Sequence, residues 1–131
     1  MESFRELLVW QAGIKLVREI YLVSVGFPAD ERFGLTSQIR RAAVSIPSNI
    51  AEGWGRGSTK DYLRFLSVAQ GSLREVETQL VIAQELGFCS SESVIKLEET
   101  VSQISRMLLG LRRSLEKRLS SPHSAPQIPN P

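Results

Sequence analysis

The side chains that could carry catalytic chemistry are few. The chain holds one histidine, His123, and one cysteine, Cys89. A zinc site takes about four Cys, His or carboxylate ligands, and a disulfide framework needs paired cysteines. A Ser-His-Asp or Cys-His set would have to recruit His123 from a proline-rich segment. Carboxylates pair at Glu75 and Glu77, and again at Glu98 and Glu99. A di-iron bundle, however, uses Glu-x-x-His repeats that project inward, and no His falls within a helical segment. Glu77 lies beside the apolar face of its helix, where the expected role is a hydrogen bond to Asn49 on the neighbouring helix. The run Gly53-Trp54-Gly55-Arg56-Gly57 matches neither a dinucleotide fingerprint nor a P-loop, and no strand precedes it. These residues predict no metal, no cofactor and no enzymatic activity.

Charge chemistry is the other candidate. Sixteen Lys and Arg face fourteen Asp and Glu, a formal charge of +2. That total alone does not announce a nucleic-acid binder. Its distribution is more informative. Arg40, Arg41, Arg56, Lys60 and Arg64 are expected to gather at the corner between the second and third helices. There Arg56 sits in a glycine-rich loop, free to reach a phosphate, and Lys60 and Arg64 lie one turn apart. Several phosphate contacts of this kind would give salt-dependent, base-independent binding. The competing role is a solvated face with internal ion pairs, such as Arg64 to Asp61. Arg112, Arg113, Lys117 and Arg118 have a simpler role beside the negative end of a helix dipole.

Four helices must position these groups. Periodicity places the first from Leu7 to Val25, with Leu7, Trp10, Ile14, Val17 and Tyr21 on one face, broadened by Leu16, Ile20 and Val23. Gly26-Phe27-Pro28 stops it. The second is expected from Asp30, as N-cap, to Trp54. Its core line is Leu35, Ile39, Ala42, Ala43, Ile46, Ile50 and Gly53. Pro47 removes one backbone donor and predicts a kink; the alternative is a break after Ile46. Phe33, Val44, Pro47, Ala51 and Trp54 form a second apolar arc. Phe33, Val44, Ala51 and Trp54 exceed what one core needs, so contact between copies of the chain is expected to cover them. Trp54 could equally staple the helix end. Ser58 caps a third helix, Thr59 to Leu86, with Asp61 three residues on, and Gly87 ends it. The fourth runs from Ser91 to Arg118 with a heptad-spaced seam from Val94 to Leu115. Residues 1–119 are thus expected to form one antiparallel, up-and-down all-α bundle. Residues 120–131, with four prolines, read as a disordered tail. The N-terminus lacks a signal-peptide pattern and no stretch approaches a membrane span of ~18 apolar residues, which predicts a soluble, cytoplasmic protein.

The segment from Gln38 to Arg56, QIRRAAVSIPSNIAEGWGR, closely resembles the hallmark of the four-helix-bundle family encoded in intervening sequences of bacterial 23S ribosomal RNA genes. Phe4 to Gln11, Tyr62 to Leu66 and Gly71 to Leu80 resemble further stretches of that family, so the likeness spans about residues 3–118. The resemblance implies a homopentamer and no enzymatic activity. It also implies kinship with accessory variability proteins of diversity-generating retroelements, pentameric bundles that bind nucleic acid and a reverse transcriptase. The expected function is therefore a homo-oligomeric bundle associated with structured RNA through its basic surface. The alternative is a scaffold that docks a protein partner such as a nucleic-acid enzyme.

Overall fold

Four amphipathic stretches become four helices in the computed structural model, which describes residues 2–120. They are α1 (Leu8–Ser24), α2 (Leu35–Trp54), α3 (Thr59–Glu85) and α4 (Ser91–Ser120), with short 3-10 turns at Phe4–Glu6 and Ala29–Glu31. No strand occurs among the described residues. Each helix packs on its sequence neighbours, α1 closes the ring on α4, and no diagonal pair touches. With short connections, that pattern is an up-and-down bundle. The expected tail, beyond Ser120, lies outside the described residues.

The core is one apolar cluster drawn from all four helices. On α2 and α4 the buried lines match the expected periodicity, and α3 buries a line of the same kind. Ile39, Ile46 and Ile50 of α2, Leu66, Leu73 and Leu80 of α3, and Ile104, Leu108 and Leu115 of α4 are fully buried. Helix α1 differs. Its buried line is Val9, Gly13, Leu16 and Ile20, while Ile14 and Tyr21 are exposed and Trp10 and Val17 are half-buried. Of the expected face Leu7, Leu16 and Ile20 are buried, but the centre of the buried line lies about one residue, or ~100°, from the line through Trp10, Ile14, Val17 and Tyr21. The reason is Gly13: it contributes no hydrophobic signal, yet a Cβ there would stand 3.3 Å from the Pro47 Cβ. The glycine lets α1 approach α2 at the proline, and that contact sets the rotation of α1.

Helix α2 runs unbroken through Pro47, so the alternative break after Ile46 does not occur. Its start differs from the expectation. Asp30 falls in the 3-10 turn and caps nothing; α2 begins at Leu35, whose N–H donates to the Glu31 carboxylate at 3.0 Å. A Cβ on Gly34 would lie 2.8 Å from that carboxylate oxygen, so the glycine makes room for the cap. Replacing Glu31 by Ala is expected to cost about 0.5–2 kcal/mol, with Asp30→Ala within about 0.5 kcal/mol of the parent. Urea denaturation of the two variants checks the assignment.

The remaining ends follow the sequence. Ser58 Oγ accepts the Asp61 N–H at 3.1 Å. Gly87 has φ +75°, and Phe88 N–H donates to Ala83 O at 2.8 Å, closing α3 with the left-handed cap that favours glycine.

Candidate nucleic-acid interface

The five expected phosphate contacts do not form one cluster. From Arg41 to the end of α2 at Trp54 is about 20 Å, at ~1.5 Å per residue. Arg56, Lys60 and Arg64 stand at the α2–α3 corner; Arg40 and Arg41 lie near the other end of α2. Position on a helical wheel hid this, because a wheel discards distance along the axis.

At the corner, Arg56 pairs with Glu52 and Arg64 with Asp61, each at 3.5 Å. Both guanidinium carbons also lie over the Phe65 ring, at 4.8 and 5.1 Å. The ring and its two cations thus form a local stack, and each of the two charges is already answered by a carboxylate. Lys60 is exposed.

The other group is larger than expected. Arg40 and Arg41 are joined by Arg32, which sequence reasoning did not select because it lies outside the polar stripe of the expected second helix; in the structure it precedes α2. All three line a cleft of about 450 Å³ with Tyr21, Phe33 and Val44. Arg40 reaches across to α1: its Nε donates to Ser24 Oγ at 2.8 Å, and its guanidinium lies 4.6 Å from the Tyr21 ring centre. Ser24 is buried and Tyr21 half-exposed, so Arg40 is held without a carboxylate. No carboxylate lines this cleft, and among the described residues no ion pair involves Arg32, Arg40 or Arg41.

Two other grooves lack this bias. One, about 510 Å³ between α1 and α4, balances Lys15 and Lys96 against Glu19 and Glu99. A groove of about 390 Å³ between α2 and α3 sets Arg41 against Glu75. Its floor holds Ser45 and Ser72, hydrogen bonded at 2.8 Å.

The residues expected at a contact between copies separate. Phe33 is 88% exposed and Val44 41%, and both border the arginine cleft. Ala51 is half-buried. Trp54 packs into its own subunit, edge-on to Phe4 at 6.3 Å, while Phe4 meets Trp10 at 5.3 Å. The expected Asn49–Glu77 bond is absent. Asn49 Nδ2 donates instead to Ser45 O at 2.7 Å and to Ser45 Oγ at 2.9 Å, and Glu77 pairs with Arg74 at 3.3 Å. Each short polar side chain finds a partner one turn away on its own helix, which costs less ordering than reaching across. Gly53 is buried where α2 meets Tyr62 and Phe65 of α3, and Pro47 is buried against Gly13.

Among the described residues no three His, Cys, Asp or Glu side chains are placed to hold a metal ion. No helix there is long and apolar enough to cross a membrane.

No protein of curated function matches the sequence. A crystal structure of a protein of unknown function from the S23 ribosomal protein family of Bacteroides thetaiotaomicron is similar at TM-score 0.73 and 21% identity. The match covers 81% of this chain and 99% of that one, and at that identity it speaks for the fold alone. The family model for the 23S rRNA-intervening sequence protein matches residues 5–110. With most of the bundle inside that match, including both arginine groups, the chain belongs to the 23S rRNA-intervening sequence protein family.

Proposed function

We propose that this protein is a cytoplasmic, non-enzymatic homo-oligomer, a pentamer by likeness to its family, that associates with RNA through its basic surface. The observation that carries the reading is the cleft where Arg32, Arg40 and Arg41 converge and which no carboxylate lines; Arg41 also meets Glu75 across the neighbouring groove. Unpaired guanidinium groups on a fixed scaffold suit phosphate oxygens, and each phosphate neutralised releases counterions. A kink at Pro47, reinforced by back-bonding of Ser48 and Asn49 to the preceding turn, shapes the outer face of α2. On that face Ala51 serves as a contact between copies, beyond the cleft that Val44 lines.

Salt-titrated binding to a structured RNA tests the reading. The double variant Arg32→Ala, Arg41→Ala is expected to weaken binding about tenfold or more and to reduce the salt slope by about two. The triple variant Arg56→Ala, Lys60→Ala, Arg64→Ala is expected to lose less, because Glu52 and Asp61 already answer two of its charges. If both variants bind as the parent does, the RNA reading is wrong. Light scattering on the same samples checks assembly, and a particle of monomer mass rules the pentamer out. The second reading, a scaffold for a protein partner, draws on exposed Phe33 and Val44 beside arginines, a composition common at protein interfaces. Recovery of one protein and no RNA after crosslinking would favour it.

A further inference from the structure

We infer that the arginine cleft takes an unpaired nucleotide of an RNA strand, with the base stacked on Phe33 and the flanking phosphates on Arg32 and Arg41. This inference rests on the RNA-associated reading above and says which RNA the cleft selects.

Phe33 is the first reason. A phenylalanine that is 88% exposed meets little of its own subunit, and it borders the arginine cleft. The Arg32 guanidinium lies 5.3 Å from its ring centre. A cation covers one face and leaves the opposite face to solvent. Aromatic rings with a free face are stacking platforms for bases, and arginine planes extend such stacks.

The cleft's shape and charge are the second reason. A volume of about 450 Å³ is large enough to hold one nucleotide. Arg40 is fixed by Ser24 and the Tyr21 ring, so its charge is positioned before any ligand arrives. Arg32 and Arg41 are exposed and can close on the phosphates either side of the base. The hydroxyls of Thr36 and Ser37 line the same cleft and offer hydrogen bonds to a ribose or base edge. A base held in a duplex cannot enter, because its faces are already stacked and its edge paired. The site should therefore prefer single-stranded RNA, whereas the corner stack at Phe65 has both cations drawn over its ring and offers charge without a free platform.

The test uses the full chain and two labelled probes, an unstructured oligouridylate and a blunt RNA duplex with the same number of phosphates, read by fluorescence anisotropy. The parent is expected to favour the single strand. Phe33→Ala should lose about tenfold for the single strand, with its salt slope unchanged and duplex binding unaltered, and Phe33→Tyr should restore the loss. Because the side chain is exposed, Phe33→Ala is expected to keep the parent's circular dichroism and mass. Equal affinity of the parent for strand and duplex overturns the inference but leaves the RNA reading standing. So does a Phe33→Ala variant that binds the strand as the parent does. A Phe33→Ala variant whose oligomer dissociates in light scattering overturns it too, since Phe33 would then belong to a contact between copies. Failure of both probes to bind the parent removes the inference and the RNA reading together.

Discussion

Replacing Gly53 by Val is expected to destabilise the bundle by about 3 kcal/mol or more. A Cβ at this position would lie 2.9 Å from Phe65 Cβ, 3.0 Å from Tyr62 Cδ1 and 3.2 Å from Tyr62 O. Two of these atoms are a Cβ and a backbone carbonyl, which cannot swing aside as the tip of a flexible side chain can. Relief requires α2 to move off α3, and every fully buried contact between Ile46, Ile50, Tyr62 and Leu66 loosens with it. Even Gly53→Ala, which gains up to about 1 kcal/mol of helix propensity, is expected to be net destabilising. Gly71 and Gly110 supply the contrast. Both lie inside helices with nothing within 4 Å of an added Cβ, so Ala there should stabilise by about 0.5–1 kcal/mol. Chemical denaturation of the four variants decides it. A Gly53→Val protein as stable as the parent would mean that the α2–α3 packing is looser than described.

The second large effect is a loss of stability in alkali that originates at Tyr62. This side chain is fully buried, and its hydroxyl has no hydrogen-bond partner among the described residues. Burial penalises the phenolate and pushes the Tyr62 pKa up from 10.0 to about 12. The folded state thus holds its proton more tightly than the unfolded chain does. Its contribution is fully present below pH 10 and is lost as pH rises through about 12. The fall amounts to a few kcal/mol across that window. The measured quantity is the difference between the parent and Tyr62→Phe at pH 8 and at pH 11, which cancels whatever the two proteins share. At pH 8 the variant should match or slightly exceed the parent, because it removes a buried hydroxyl with no partner. At pH 11 it should be clearly the more stable. Parallel stability profiles for the two proteins would refute the assignment.

Much of the fold was legible because it is local. Alternating three- and four-residue steps from Val94 to Leu115 specify the buried line of α4 whatever surrounds it, and the same holds for Leu66 to Ala83 on α3. Ser58 and Gly87 end helices by bonds within a few residues. The failures are equally physical. The start of α2 turned on a choice between two acidic neighbours, and the glycine beside Glu31 admitted that carboxylate rather than the one at Asp30. The rotation of α1 turned on Gly13, which is silent in a hydrophobicity pattern and decisive in a close helix crossing.

The candidate site shows the same division. That arginines crowd around α2 and that few residues could serve metal or nucleophile chemistry are properties of composition and order, open to reading before any fold is known. So is membership of the family, carried by the run from Gln38 to Arg56. Which arginines stand together was decided only in three dimensions. Arg56 and Arg64 meet carboxylates and share Phe65, whereas Arg32, from outside α2, joins Arg40 and Arg41 over a cleft that α1 completes. Helical periodicity is a property of each segment alone. The availability of a charge or an aromatic ring depends on what its neighbours in space supply, and those neighbours are set by how the helices pack.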